Sequence, residues 1–321
     1  MSILKTNAMK LLSICIIFSL ILTCIISVLP LSLDSCNCEN YIETHNSIYN
    51  DIQNRKYYNS LVGKFNNKKK LAIIVPFRDR FDELLEFAPY MTKFLNDQEI
   101  PHHIFVINQV DRFRFNRASL INVGFLYTKD NFDYFAMHDV DLLPLNNDLK
   151  YEYPENDGVM HIAAPGLHPK YNYPSFIGGI LIIKNEHFAK VNGMSNRYWG
   201  WGLEDDEFYV RLKDASIKVY RPQNIKTDMS NTFVHNHDRI HRRRDTAKCY
   251  NQKEETRKRD KKTGLDTLKY NINSRKELAI DGIKLTILNV KFECDKSLTP
   301  WCECSGDMPT KDTKSKAKKG L

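Results

Sequence analysis

Residues 11–33 are 23 consecutive positions without a charged side chain, rich in Ile and Leu. A helix of that length, rising 1.5 Å per residue, crosses a hydrocarbon core about 30 Å thick. Lys5 and Lys10 precede the run, whereas Asp34 and Glu39 follow it. Positive-inside bias then keeps the short N-terminus cytosolic and carries the rest of the chain across the membrane. A cleaved signal peptide competes with this reading, but its apolar region is about 7–15 residues long. The run here is longer and has no clear small-x-small cleavage site, which favours an anchor. The expected organisation is a cytosolic tail (1–10), a transmembrane signal-anchor (11–33), a polar stem rich in Asn, Tyr and Lys (34–69), a folded domain (70–305) and a disordered basic tail (306–321).

Cysteine usage agrees with an oxidising compartment beyond the anchor. Cys36, Cys38, Cys249, Cys294, Cys302 and Cys304 are an even set that suits disulfides, with the connectivity left open. Zinc is disfavoured, because neither Cys-x-Cys pair has a zinc site's usual spacing. The formal charge of +8 is unevenly spread, with basic residues crowded between Arg239 and Lys262 and again from Lys311 to Lys319. Behind an anchor such a patch suits an acidic glycan or glycoprotein, or is simply a solvated surface; nucleic acid is not expected.

The folded domain begins at Leu71-Ala72-Ile73-Ile74-Val75-Pro76-Phe77. This continuous apolar run suits a strand buried on both faces. A helical pattern follows through Leu84, Leu85, Phe87, Ala88, Met91, Phe94 and Leu95. Then come a strand at 104–107, a helix near 118–127 and a strand at 134–137. That alternation predicts a mostly parallel α/β sheet flanked by helices. A strand at 179–183, a helix at 204–213, a strand at 217–220 and a hairpin about Asp281-Gly282 complete the reading.

Four constellations carry chemistry. Asp139-Val140-Asp141 directly follows a strand, where alternation would aim both carboxylates at one ligand at the carboxyl edge of the sheet. Such carboxylates hold a divalent metal that bridges nucleotide phosphates, although Asp-x-Asp alone also describes a solvated turn. Trp199-Gly200-Trp201-Gly202-Leu203-Glu204-Asp205-Asp206-Glu207 joins a permissive loop bearing flat apolar faces to four acids that open a helix. Dipole capping accounts for one or two of those acids; a general base for a sugar hydroxyl accounts for the rest. His235-Asn236-His237 places two imidazoles on one face of a strand. With Asp141 they make an oxygen-plus-two-imidazole set suited to manganese or another borderline divalent ion, against an incidental pair. Pro76-Phe77-Arg78-Asp79-Arg80 and Phe115-Asn116-Arg117 lie at or beyond buried strands and offer aromatic and guanidinium groups to a nucleotide, with surface ion pairs as the alternative.

Pro-Phe-Arg-Asp-Arg, Phe-Asn-Arg-Ala, Asp-Val-Asp, Ile-Gly-Gly and Trp-Gly-Trp-Gly-Leu-Glu-Asp-Asp-Glu-Phe occur here in the order seen in β-1,4-galactosyltransferases, and residues 71–304 resemble that family. The His-Asn-His motif, the compact length and the Cys294-Asp295-Lys296 to Pro300-Trp301-Cys302 stretch are most similar to the members that act on xylosylated proteoglycan core proteins. The resemblance implies a catalytic GT-A fold, UDP-galactose as donor and Mn²⁺ held by Asp141, His235 and His237. It places Pro76 to Arg80, Phe115 to Arg117, Asp139, Val140, Asn236 and Arg244 at the UDP site. Tyr171, Tyr173, Trp201, Leu203, Glu204, Asp205 and Asp206 fall at the sugar and acceptor sites, with Asp205 as the catalytic base. It also implies a Golgi membrane protein with a lumenal catalytic domain. Leu203 departs from the pattern, since relatives often have Arg or Gly there. The rival readings are an N-acetylglucosamine acceptor and a non-catalytic, lectin-like protein.

Overall fold

The computed structural model describes residues 68–237 and 242–304. The expected anchor and basic tail, and all of the expected stem but Lys68 and Lys69, lie outside the described residues, and no helix among the described residues is long and apolar enough to cross a membrane.

Strand β1 (Leu71–Phe77) is buried at every position, as its unbroken apolar run demands. It pairs in parallel with β2 (His102–Gln109) on one side and β3 (Tyr134–His138) on the other. Side-chain alternation divides its two faces. Ile73 and Val75 join one core cluster with Leu84, Phe87, Met91 and Leu95 of helix α1 (Phe81–Asp97). Ile74 faces α2 (Arg117–Thr128), where a Cβ on Gly124 would lie 2.5 Å from the Ile74 Cγ2 atom, so helix and sheet pack very closely. Asn116 caps α2 by accepting the Ser119 N–H at 2.9 Å.

The remaining strands are β4 (Leu142–Pro144), β5 (Gly158–His161), β6 (Ile180–Lys184), β7 (Lys218–Tyr220), β8 (Phe233–His235), β9 (Tyr270–Ile280) and β10 (Ile283–Phe292); the remaining helices are α3 (Asn185–Lys190), α4 (Glu204–Asp214) and α5 (Gln252–Glu255). Eight strands form one sheet in the order β7-β5-β6-β3-β1-β2-β10-β9, and β4 pairs with β8 separately. The sheet is mixed rather than mostly parallel: four pairings are parallel and three antiparallel. Parallel pairing is concentrated at the centre, where the α1 and α2 crossovers supply it, and the flanks turn back on themselves. The hairpin turns at Asp281 and Gly282, both with positive φ, which is the backbone a two-residue loop requires. Disulfides Cys249–Cys304 and Cys294–Cys302 staple the irregular C-terminal segments.

Candidate active site

The segments leaving the carboxyl ends of β1, β2 and β3 line a cavity of about 600 Å³, within the usual range for small-molecule sites. One corner is built by the short β4–β8 ladder. Leu142 pairs with His235, and the Asn236 N–H donates to the Asp141 carbonyl at 2.8 Å. That register brings ligand-capable atoms of Asp141, His235 and His237 within 4.8 Å of one another. The His235 Nε2 and His237 Nδ1 atoms lie 3.7 and 3.3 Å from the same Asp141 Oδ2. His237 Nδ1 is buried without a hydrogen bond, because the close approach lacks the alignment of one. Burial pushes the Asp141 carboxyl upward, but the nearby His235 imidazole and the charges of Arg80 and His237 hold it below the usual range. Burial, then Arg244, lowers the pKa of His237 and favours the neutral imidazole, the form that ligates.

Asp139 points elsewhere. β3 ends at His138 and residues 140–141 form a turn, so the two acids of Asp-Val-Asp diverge instead of alternating along a strand. Arg117 meets Asp139: its Nε donates to Asp139 Oδ1 at 2.8 Å, and its Nη1 donates to Asp205 Oδ1 at 2.9 Å. Glu204 lies 4.0 Å from the same Nη1. Desolvation opposes the Arg117 charge, but Asp139, Asp205 and Glu204 outweigh it and keep the guanidinium ionised. Burial, then the neighbouring Asp205 charge, pushes the Glu204 carboxyl up to about 7. The second Asp205 oxygen abuts Gly178, where a Cβ would lie 2.3 Å from Oδ2. His161 Nε2–H fixes that backbone by donating to the Gly178 carbonyl at 2.9 Å.

The third wall belongs to the glycine-rich loop. Gly200, Gly202 and Leu203 all have positive φ. The glycines accept this freely, whereas Leu203 carries strain on the order of 1–3 kcal/mol. Trp201 is 44% exposed and Trp199 only 4%, so a single tryptophan face is available for stacking. Arg244 sits between aromatic rings, 5.0 Å from the Trp201 centroid and 5.8 Å from that of Tyr171, whose hydroxyl accepts from its Nη1 at 2.7 Å. Burial, then Asp206, Asp205 and Glu204, raises the pKa of Tyr173 and keeps it a neutral donor.

Family models describing an N-terminal region of glycosyl transferase group 7 and an N-terminal domain of galactosyltransferase match residues 33–154 and 158–237. The chain is 65% identical over 237 residues to the β-1,4-galactosyltransferase 7 of Drosophila melanogaster, covering 74% of each chain. It is 50% identical to the xylosylprotein 4-beta-galactosyltransferase of Caenorhabditis elegans, covering 73% of this chain and 82% of that one. This chain belongs to the β-1,4-galactosyltransferase family. A solved structure of a mutant Drosophila β-1,4-galactosyltransferase 7 in complex with manganese, UDP-Gal and xylobiose is 64% identical, with a TM-score of 0.73 over 74% of this chain and all of that one.

Within this galactosyltransferase, most of the residues singled out by motif meet at one cavity: Pro76, Arg78, Asp79, Arg80, Phe115, Arg117, Asp139, Val140, Asp141, Tyr171, Tyr173, Trp201, Leu203 to Asp206, His235, His237 and Arg244. Three do not line it. Phe77 is buried in the core beneath α1, Asn116 is fully buried as the α2 cap, and the Asn236 amide donates to Glu86 Oε2 at 2.7 Å. Trp199 also leaves the stacking surface; it packs edge-on against Phe113 and Phe292. Glu207 leaves the acidic group, being buried in a two-oxygen bond to the Arg211 Nε at 2.9 Å. His168, which belongs to no motif, lines the cavity, and so does Gly179 of the Ile-Gly-Gly motif. His168 accepts the Lys170 and Tyr171 N–H groups at 3.0 Å through Nδ1, which orients the Tyr171 loop. A lone His in a loop gave no pattern to find it by. The chemistry of a carboxylate oxygen, two imidazoles and an orphaned buried ring nitrogen fits a manganese-type ion at Asp141, His235 and His237.

Proposed function

We propose that this chain transfers galactose from UDP-galactose to the 4-hydroxyl of xylose with inversion, in a Mn²⁺-dependent reaction. The observation that carries the reading is Arg117, which joins the Asp139 end of the metal-side turn to Asp205 on the acceptor-side helix. Arg117 orients one oxygen of Asp205, and Gly178 backs the other, so the carboxylate is set to accept the proton of the attacking hydroxyl. As that oxygen bonds to the galactose anomeric carbon from one face, the bond to the diphosphate breaks on the other. Arg80, Arg243 and Arg244 line the same cavity and offset the charge that develops on the leaving group. Mn²⁺ bound by Asp141, His235 and His237 supplies further positive charge to the diphosphate oxygens. Trp201 offers its exposed face to a sugar ring, and Tyr173 offers a hydroxyl.

The acceptor is decided by incubating the protein with UDP-galactose, Mn²⁺ and either an aryl β-xyloside or an aryl N-acetylglucosaminide. The xyloside should be galactosylated and the glucosaminide largely ignored; equal turnover, or the reverse preference, sinks the xylose reading. Proteoglycan core proteins bearing xylose are the natural acceptors in this reading. The charge asymmetry about residues 11–33 supports a single-pass anchor with the catalytic domain in the Golgi lumen. Protease added to sealed microsomes should spare that domain, and digestion without detergent rejects the orientation.

A further inference from the structure

We propose that His168 is a donor-binding residue, whose Nε2–H hydrogen-bonds a diphosphate oxygen of the nucleotide sugar beside the Asp141, His235 and His237 corner. This role rests on the function proposed above and adds a ligand contact to it. The tautomer of the ring follows from its partners. Nδ1 accepts the Lys170 and Tyr171 N–H groups, each at 3.0 Å. A nitrogen that accepts N–H groups carries no proton, so the proton of the neutral ring is on Nε2. A protonated ring nitrogen donates and cannot ligate a metal, since it has no free lone pair. His168 therefore stands beside the metal corner without joining it. The ligand-capable set there is Asp141, His235 and His237 alone among the described residues.

The ring is held from several sides. It is buried, with its centroid 5.1 Å from that of Tyr171 and 5.2 Å from that of Phe176, which meets it edge-on. A Cβ on Gly179 would lie 3.6 Å from His168 Cδ2, so the backbone there is close as well. On a further side it meets the metal-corner imidazole of His235, 5.8 Å away between centroids and at 61°. Nε2 nevertheless bonds to no described residue, and it is not among the fully buried nitrogens left without a partner. It opens into the cavity that His168 lines. A locked N–H in this place suits an oxygen acceptor held at the same corner. Arg80, Arg243 and Arg244 line the same cavity, so the occupant that fits is an anion with several oxygens, which a diphosphate supplies. The neutral ring adds a directional donor there without adding another charge to crowded cations.

The test is titration calorimetry of the full-length protein in detergent, with Mn²⁺ alone and then with UDP in the presence of Mn²⁺. Asn and Ser side chains accept N–H groups a few residues ahead, the bonds that His168 makes to residues 170 and 171. His168→Asn and His168→Ser therefore keep the turn and lose the donor, and either carries the test if the other does not fold. Each should weaken UDP binding by about tenfold to a hundredfold, the effect of one hydrogen bond to a charged partner. Mn²⁺ affinity should stay at the wild-type value, because no metal ligand is removed. His168→Gln, whose amide nitrogen reaches the Nε2 position, should bind UDP more tightly than either. Unchanged UDP affinity in the Asn and Ser variants, a parallel loss of Mn²⁺ affinity, or a Gln variant weaker than both overturns the role. Wild-type protein that binds no UDP rejects the functional reading and this role with it. Equal UDP binding by the wild type and the Asn variant rejects the role of His168 alone.

Discussion

Replacing Asp205 by Asn removes a base while leaving nearly the same shape. The amide oxygen can still accept from Arg117 Nη1, and Arg117 keeps Asp139 at 2.8 Å and Glu204 at 4.0 Å, so its buried charge is not abandoned. Losing one negative charge from the first turn of α4 costs about 0.3–1 kcal/mol of dipole stabilisation, and relief of repulsion with Glu204 and Asp206 offsets part of it. The variant should therefore fold. An amide nitrogen cannot take the hydroxyl proton, and a positioned base contributes about 10²–10⁴-fold to such a step, equivalent to about 3–5 kcal/mol of barrier. The Asp141, His235 and His237 corner makes no bond to Asp205, so UDP and Mn²⁺ should bind within a few-fold of wild type. Turnover of an aryl β-xyloside measured beside titration calorimetry of UDP with Mn²⁺ separates the two effects. Retention of more than about a tenth of wild-type turnover refutes the base assignment and moves the role to Asp206 or Glu204.

His237→Ala should show the opposite pattern, weakening Mn²⁺ and UDP binding together by at least about tenfold, since even outer partners of metal ligands cost 10–100-fold; calorimetry with unchanged Mn²⁺ affinity rejects the ligand role. Gly178→Ala should cost turnover out of proportion to stability, because the new Cβ displaces Asp205 Oδ2; wild-type kcat in that variant contradicts the backing role. Stability should fall as pH drops below 6.5. Burial lowers His103 to about 3 and His138 and His161 to about 4. Above 6.5 both states are neutral, whereas below it the unfolded chain takes protons the folded one refuses. Three such groups give a slope approaching about 4 kcal/mol per pH unit. Glu204, raised to about 7, opposes this by binding its proton first in the folded state. A urea midpoint that stays flat or rises from pH 6.5 to 5 rejects the account.

The central strands were legible because burial on both faces leaves an unbroken apolar run, and the α1 stripe was legible because its helical period survives in the sequence. The short strands β4 and β5 were not: three or four residues carry too little pattern, and their existence depends on partners far along the chain. The mixed character of the sheet is hidden for the same reason. Strand direction on the β6 flank is set by long-range pairing, which no local run of residues encodes.

At the site, composition and order identified the groups, and tertiary structure decided their roles. Asp139 and Asp141 alternate in sequence, yet a turn sends one to Arg117 and the other to two imidazoles. Trp199 and Trp201 look equivalent on paper, yet Trp199 is buried against Phe113 and Phe292 and only Trp201 faces the cavity. What a motif lists is chemistry within a few residues. What converts that chemistry into a site here is Arg117, joining acid to acid across distances in the chain that only the fold closes.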